Sequence, residues 1–322
     1  MSDPQQYSDP AEIRHTIGQS GSVSLSNVSG DIRVRAVDSD EVVVFARSTR
    51  GRQDWLPLVV RKTDGMLSVE LDQRGSFFGW SRPRTDVEFE VTMPRGARID
   101  VTSVSADIQV TGVLGEQSYK TVSGDLSLDR VGGRISLSSV SGDVRLEGIQ
   151  AVEPRASSTS GDLEITAPNL RAIQLKTVSG DASVRGAFDT GALHSIETVS
   201  GDVEIEAASG LTVEVKKGID FSGNSSRQRV VGDGAARLRF RSLSGDLHLM
   251  ALGGNKAVKD QDDVQVAWPQ PPMPPTPGMP PTPAAPSAPS GPTSLEVLQM
   301  LERGEIDIEE AQRRLEGASS RG

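Results

Sequence analysis

A short phrase, Val-Ser-Gly-Asp, recurs along this chain at a nearly constant interval and constrains the fold more than any other feature. Successive aspartates of the phrase are separated by 18, 18, 19, 19 and 21 residues, and the last clear copy follows after 44 residues. These residues are Asp107, Asp125, Asp143, Asp162, Asp181, Asp202 and Asp246. A fixed period of about 20 residues indicates a repeat architecture in which each unit is one structural repeat.

Two further matches extend the array. Half of the 44-residue interval ends at Phe221-Ser222-Gly223-Asn224, which we interpret as a degenerate copy of the phrase. The sequence therefore predicts eight consecutive units. An outlying ninth copy stands at Val28-Ser29-Gly30-Asp31.

Hydrophobic residues around the phrase alternate with a period of two. Leu126 and Leu128 follow one copy, and Ile135 and Leu137 precede the next. This is the period of a β-strand with one buried face. We therefore predict an all-β fold, a single-stranded β-solenoid with rungs of 18–22 residues stacked about 4.8 Å apart. The phrase itself forms a corner, since glycine reaches positive φ and Ser and Asp side chains bond turn backbone.

Composition excludes several classes of function. The chain has 34 basic and 44 acidic side chains, a net charge of −10, which disfavours a nucleic-acid surface. It contains no cysteine, and its three histidines, His15, His194 and His248, stand in no metal-binding spacing. No G-x-S-x-G elbow or phosphate-binding loop occurs. We predict no catalytic residue, no cofactor and no metal ligand.

The aspartates are the strongest candidates for chemistry, because stacking places them about 5 Å apart. That separation is similar to the carboxylate pair of a retaining glycosidase. Since almost every unit carries the same residue, a structural role is favoured over one special pair. Either the carboxylates accept hydrogen bonds from backbone N–H and serine hydroxyl groups, or cations lie between the rungs.

Composition changes along the chain predict its domain organisation. Residues 268–292 hold 12 of the 19 prolines, as expected of an extended, semi-rigid spacer. The predicted segments are a disordered N-terminus (1–11), a capping β section (12–94), regular β-solenoid rungs (95–255), a charged and then Pro-rich linker (256–293), a helical hairpin (294–317) and a short tail (318–322).

The capping section contains one cluster of aromatic residues, Phe77, Phe78 and Trp80, with arginines beside it. These rings either cover the open end of the apolar stack or contact a membrane, a ligand or a partner. The second interpretation makes them candidate interaction residues.

The C-terminal segment has the pattern of two short helices. Leu298 and Leu301 lie on one face of the first, which Gly304 ends, and Leu315 faces inward on the second. A hairpin of this size is too short to bury a stable core by itself. We therefore expect it to dock on the solenoid, on another copy of the chain or on a partner protein.

The rungs, together with Val91-Thr92-Met93-Pro94-Arg95-Gly96 leading into residues 99–107, resemble the bacterial β-strand-repeat family known as "putative adhesins", a domain of unknown function. Residues 298–315, with Gly304, Glu305 and Ile306, are similar to the SHOCT-like helical hairpin. This resemblance implies a bacterial, non-enzymatic scaffold, in several members tied to the cell envelope and its stress responses.

The functional expectation is a non-enzymatic interaction scaffold whose hairpin mediates protein–protein docking or self-association. The alternatives are an adhesin-like module that binds glycan, lipid or peptide, a scaffold that polymerises through its ends, and a glycan-cleaving β-helix enzyme. The first ten residues lack a signal peptide, and no apolar run of 18 residues occurs. We expect a cytoplasmic protein, with peripheral envelope or membrane contact left open.

Overall fold

The structure is a computed structural model, and it describes residues 5–49, 55–71, 86–217, 227–252 and 259–261. All regular elements within these residues are β-strands. They lie in a compact unit that spans Met1–Val266, and Ala267–Gly322 is a second unit outside the described residues.

Ten strands precede the most regular part of the stack. They are β1 (Gln5–Ser8), β2 (Ala11–Thr16), β3 (Ser22–Ser26), β4 (Ile32–Val37), β5 (Glu41–Ser48), β6 (Trp55–Thr63), β7 (Met66–Leu71), β8 (Val87–Pro94), β9 (Arg98–Ser105) and β10 (Ile108–Thr111).

Thirteen further strands follow in the described residues. They are β11 (Gln117–Ser123), β12 (Leu126–Ser139), β13 (Val144–Ser158), β14 (Leu163–Leu170), β15 (Gln174–Ser179), β16 (Ala182–Phe188), β17 (Leu193–Ser200), β18 (Val203–Ala207), β19 (Leu211–Lys217), β20 (Arg227–Val231), β21 (Ala236–Ser244), β22 (Leu247–Ala251) and β23 (Lys259–Gln261).

Alternation of burial along the strands creates the core. In β11, the side chains of Gln117, Tyr119 and Thr121 are buried, whereas Lys120 between them is exposed. The buried set as a whole is dominated by Val, Leu, Ile and Ala. Small aliphatic residues suit this position because every rung is thin and must share its apolar strip with two neighbours.

Parallel strands on either side of the corner form two faces. The post-corner face stacks β4, β10, the first half of β12, the first half of β13, β14, β16, β18 and β22. The pre-corner face stacks β3, β9, β11, the second halves of β12 and β13, β15, β17 and β21. Equivalent residues pair, so Ile108 lies beside Leu126 and Leu126 beside Val144.

The stacking order departs from the chain order near the N-terminus. Strand β3 lies between β7 and β9, and β4 lies between β8 and β10. The copy of the phrase at residues 28–31 is therefore not outlying, because Ile32 pairs directly with Ile108 of the first regular rung. Strands β5 to β8, which come between these two segments in the chain, lie on the opposite side of β3 and β4 from β9 and β10.

A second departure occurs near the C-terminus and corrects the predicted unit count. Strand β22 pairs directly with β18, and β21 pairs with β17, so no rung lies between Asp202 and Asp246. Strands β19 and β20 form an antiparallel pair on the far side of β21. The interpretation of Phe221-Ser222-Gly223-Asn224 as a unit within the stack is therefore wrong, although these four residues themselves lie outside the described residues.

Antiparallel strands extend the stack at both ends. At the N-terminal end, β5 and β2 follow β8, while β6 and β1 follow β7. At the other end, β20 and β23 follow β19. The prediction of disorder over residues 1–11 is wrong for residues 5–8, which form β1 because their backbone pairs with β6 and Tyr7 packs on the core. It is also wrong for Ala11, which begins β2 and is buried.

The predicted all-β fold of stacked strand repeats is confirmed. Rungs of the predicted length occur from β9 to β18 with an in-register core. The predicted linker and helical hairpin lie outside the described residues.

Candidate interaction surface

Glycine in the repeated phrase is required by both backbone conformation and space. Gly142 has a φ of 118°, and a Cβ atom added there would lie 2.3 Å from the carbonyl oxygen of Gly124 in the neighbouring rung. Side chains other than hydrogen are strained in that conformation, and the neighbouring backbone leaves no room for one. The rungs can therefore stack closely at the corner.

An aspartate column runs along this corner, and it consists of Asp107, Asp125, Asp143, Asp162, Asp181, Asp202 and Asp246. The backbone N–H of each aspartate after Asp107 donates a hydrogen bond to Oδ1 of the aspartate in the preceding rung. The six N···O distances lie between 2.8 and 3.0 Å. The last of these bonds joins Asp246 to Asp202 across 44 residues of chain.

This geometry shows how the carboxylates are used. Adjacent like charges at this spacing repel by about 1 kcal/mol in water-like surroundings, and a charge-assisted bond from the next backbone N–H opposes that repulsion. At the C-terminal end, Lys217 Nζ lies 2.5 Å from Asp246 Oδ1 and, through this hydrogen bond and its charge, lowers the pKa of that carboxyl group. Within the described residues, no group of three or more His, Cys, Asp or Glu side chains is arranged to hold a metal ion.

Small hydroxyl groups line the inner side of the same corner. Thr121 Oγ1 donates to the carbonyl of Ser123 at 3.0 Å, and Ser158 Oγ donates to the carbonyl of Ser160, also at 3.0 Å. Both hydroxyl residues are buried. In these two rungs they satisfy a corner carbonyl group from inside the stack, whereas the equivalent buried hydroxyl groups of Ser103, Thr198 and Ser242 have no hydrogen-bond partner among the described residues.

An aliphatic column lies on the outer side of the corner, one residue after each inner hydroxyl residue. Its members are between 43% and 48% exposed. They are Val104, Val122, Val140, Val178, Val199 and Leu243. In the rung between Val140 and Val178, the same position is taken by Thr159, which is also exposed.

This aliphatic column is not among the predicted site residues, although the sequence contains the signal for it. Alternation in β11 places Tyr119 and Thr121 inward, which requires Val122 to point outward. The valine belongs to the repeated phrase, and the period therefore repeats its exposure in every rung.

Charges on the two faces are largely paired, in contrast with the corner. On the post-corner face, Arg145 contacts Glu147 at 2.8 Å and Glu164 at 3.0 Å, and these carboxylates raise its pKa. Such exposed ion pairs contribute little to stability individually. In the part of the chain that the structure describes, no basic side chain forms an ion pair with the six aspartates from Asp107 to Asp202.

His194 is the one fully buried histidine among the described residues. Its Nε2 lies 2.9 Å from the carbonyl oxygen of Asp189, and its ring packs edge-to-face on Phe188 with centroids 5.1 Å apart. Burial lowers the pKa of His194, and the hydrogen bond to Asp189 opposes this effect only in part. The lowered pKa favours the neutral form of the ring, which packs as part of the core.

The predicted site residues separate into two groups. The seven aspartates lie together in one column at the corner, as described above. The aromatic residues Phe77, Phe78 and Trp80 and the leucines Leu298, Leu301 and Leu315 lie outside the described residues, so their roles remain predictions. Of the described residues, none forms a helix long and apolar enough to cross a membrane.

Comparison with known proteins gives a family match. The profile of the family described as Toastrack DUF4097 matches residues 21–230. Similar solved structures include a "putative adhesin" from Bacteroides fragilis, with 13% identity, 75% of this chain and 97% of that chain covered, and a TM-score of 0.33. A "putative cell adhesion protein" from Clostridium sporogenes has 10% identity, with 76% and 100% covered and a TM-score of 0.26. A "putative lipid binding protein" from Parabacteroides distasonis has 10% identity, with 76% and 97% covered and a TM-score of 0.31. No curated protein matches the sequence.

Proposed function

The chain belongs to the Toastrack DUF4097 family, and from this premise we propose that it is a non-enzymatic β-solenoid scaffold that binds other molecules. The observation that carries the proposal is the use of the aspartate column. Its carboxylates, the most repeated polar groups of the chain, hold neighbouring rungs together through backbone hydrogen bonds. Because these bonds join the rungs at regular intervals, the outer surface of the stack is long and regular and is available for binding.

The family match confirms the resemblance of the rungs to the β-strand-repeat family. We also propose roles for the segments beyond the stack. The predicted hairpin at 294–317 provides a docking or self-association site, and the Pro-rich linker extends the reach of this hairpin. We further propose that the protein is cytoplasmic, and that it serves the cell envelope or its stress response, the role that the resemblance implies.

Removal of the hairpin tests the scaffold function. Deletion of residues 294–322 should change the oligomeric state or partner binding, measured by analytical ultracentrifugation, while the β-rich circular dichroism spectrum stays intact. A matched full-length variant with Leu298→Ser, Leu301→Ser and Leu315→Ser should have the same effect. Unchanged association in both variants would refute a docking role for the hairpin.

An adhesin-like module that binds glycan, lipid or peptide is the second candidate function. The exposed aliphatic column supports it, because a line of apolar side chains on a monomer surface often marks a contact site. Fractionation of the native cells separates the two candidates, since an exclusively soluble cytosolic pool would rule out adhesion to external surfaces.

A further inference from the structure

We propose that the corner of the solenoid, with its aliphatic and aspartate columns side by side, is a docking site for a basic amphipathic helix of a partner protein. This inference rests on the proposed scaffold function and adds to it a surface and the chemistry of its partner. The occupant carries aliphatic residues on one stripe of the helix and Lys or Arg residues along one side of that stripe.

The aliphatic column forms the apolar part of this surface. Single exposed hydrophobic residues are normal on protein surfaces, but here six, all 43% to 48% exposed, lie in one line. Corner geometry does not demand an apolar residue, because Thr159 occupies the equivalent position in one rung. Threonine has the branched shape of valine with a hydroxyl group in place of one methyl group, so the aliphatic character of the other rungs is not explained by the fold.

The charged half is the aspartate column, three residues further along each rung. All seven of its side chains are exposed. In the described part of the chain, the six from Asp107 to Asp202 have no basic partner, whereas arginines and glutamates pair on the neighbouring face. A row of basic side chains would offset the repulsion within the column.

Between the two columns lie serine and glycine, except in the first rung, where the buried Ala106 takes the place of the glycine. Ser123, Ser141 and Ser160 are exposed, and their glycine neighbours carry no side chain. These small residues leave the aliphatic and acidic side chains as the larger groups on either side. A ligand lying along the axis can therefore contact both columns at once.

Spacing favours a helix over an extended strand. Rungs repeat about every 4.8 Å, and a helix repeats about every 5.4 Å, so the mismatch is about 0.6 Å per turn. Side chains on one face of a strand repeat about every 6.8 Å and lose register after two or three rungs. The seven rungs from Val104 to Leu243 span about 29 Å, which a helix of about 19 residues covers.

Charge disfavours the other occupants. An anionic membrane surface or a nucleic acid would be repelled by the aspartate column. In a second copy related by a twofold axis perpendicular to the columns, a contact of the aliphatic columns also places aspartate against aspartate. A cationic partner is the one whose charge complements this surface.

A peptide titration against the full-length protein tests the proposal. The probe is a labelled 19-residue peptide of Leu and Lys with leucines in one helical stripe, and binding is followed by fluorescence anisotropy at two salt concentrations. One control peptide has Glu in place of Lys, and another has the same composition without the stripe. We expect salt-sensitive binding of the first peptide and at least tenfold weaker binding of both controls.

Two matched variants assign the binding to the corner. The first carries Val104→Thr, Val122→Thr, Val140→Thr and Val178→Thr, the replacement that residue 159 shows to be compatible with the corner. The second carries Asp125→Asn, Asp143→Asn, Asp162→Asn and Asp181→Asn, which keeps the Oδ1 acceptors. Each should weaken binding at least tenfold, and the second should also reduce the salt dependence. A control with Glu147→Gln, Glu164→Gln, Glu204→Gln and Glu206→Gln removes the same charge from the post-corner face and should bind nearly as wild type.

Equal binding by wild type and both corner variants would overturn the proposal, as would valine-dependent binding to anionic vesicles without binding to the peptide. If the peptide does not bind wild type but deletion of residues 294–322 still changes association, the corner site is refuted while the scaffold function stands. If the peptide binds as expected but the deletion has no effect, the corner site stands and the hairpin assignment falls.

Discussion

The backbone N–H of Asp143 donates a hydrogen bond to Oδ1 of Asp125, 18 residues earlier, at a distance of 3.0 Å. This bond joins two rungs, and it recurs in every step of the aspartate column. The repeated carboxylate is therefore a connector between neighbouring units of the stack.

Removal of one acceptor tests this relationship. Asp125→Ala should lower the free energy of unfolding by about 1 kcal/mol, the usual contribution of a hydrogen bond, while Asp125→Asn should cost less because its side-chain oxygen still accepts the N–H of Asp143. Urea denaturation monitored by circular dichroism measures both. Equal destabilisation by Ala and Asn would show that the charge, and not the acceptor, is what matters.

Glycine at the corner should tolerate no side chain. Gly142→Ala forces a Cβ to 2.3 Å from the carbonyl oxygen of Gly124 at a φ of 118°, and we expect it to cost about 3 kcal/mol or more. Gly191→Ala is the control, since its added Cβ would lie 3.4 Å from Oδ1 of Asp189 and its φ is not positive. Comparable urea midpoints for the two variants would contradict the close stacking of the corner.

Acid should destabilise the fold through His194. Burial lowers the pKa of this ring below 6.5, so the unfolded chain binds a proton more readily than the folded one. The stability that the neutral ring provides is present above about pH 6.5 and is lost as the pH falls below it. His194→Gln, whose amide can still donate to the carbonyl of Asp189, should remove this part of the pH dependence.

The measurement is the urea midpoint between pH 7.5 and pH 5 for wild type and for His194→Gln. We expect the two curves to diverge as the pH falls below about 6.5, with wild type losing more stability. Parallel curves over this range would show that His194 does not titrate on unfolding.

Calcium should have no effect on stability. Oδ1 of each aspartate from Asp107 to Asp202 already accepts a backbone N–H, and within the described residues no three acidic or histidine side chains are grouped to hold a metal ion. The melting temperature should therefore be the same in millimolar Ca²⁺ and in chelator, because a ligand that binds the folded state raises it. A rise of several degrees with Ca²⁺ would support cations between the rungs.

The sequence predicts the regular part of this fold because each rung repeats the same local chemistry. Asp107 and Asp125 are one period apart, and their rungs are neighbours in space. Alternation also contains the information that Val122 points outward, once Tyr119 and Thr121 are placed inward.

The order of stacking could not be predicted in the same way. The interval from Asp202 to Asp246 equals two periods, yet the two rungs are in direct contact, and the chain between them contributes strands beyond β21. Likewise, Ile32 pairs with Ile108 across 76 residues. The alternation that marks a strand is a local property of the sequence. Which strand it pairs with depends on which edge of the stack is still unpaired when it joins.

The central claim is that the repeated aspartates connect the rungs and leave the outer surface for binding. Hydrogen exchange at the amide of Asp143 tests this claim most directly. In wild type and in Asp125→Asn this amide should be protected, and in Asp125→Ala it should exchange much faster, while the amides of Asp181 and Asp202 keep their protection. Exchange of the wild-type Asp143 amide at the rate of an open loop would contradict the account.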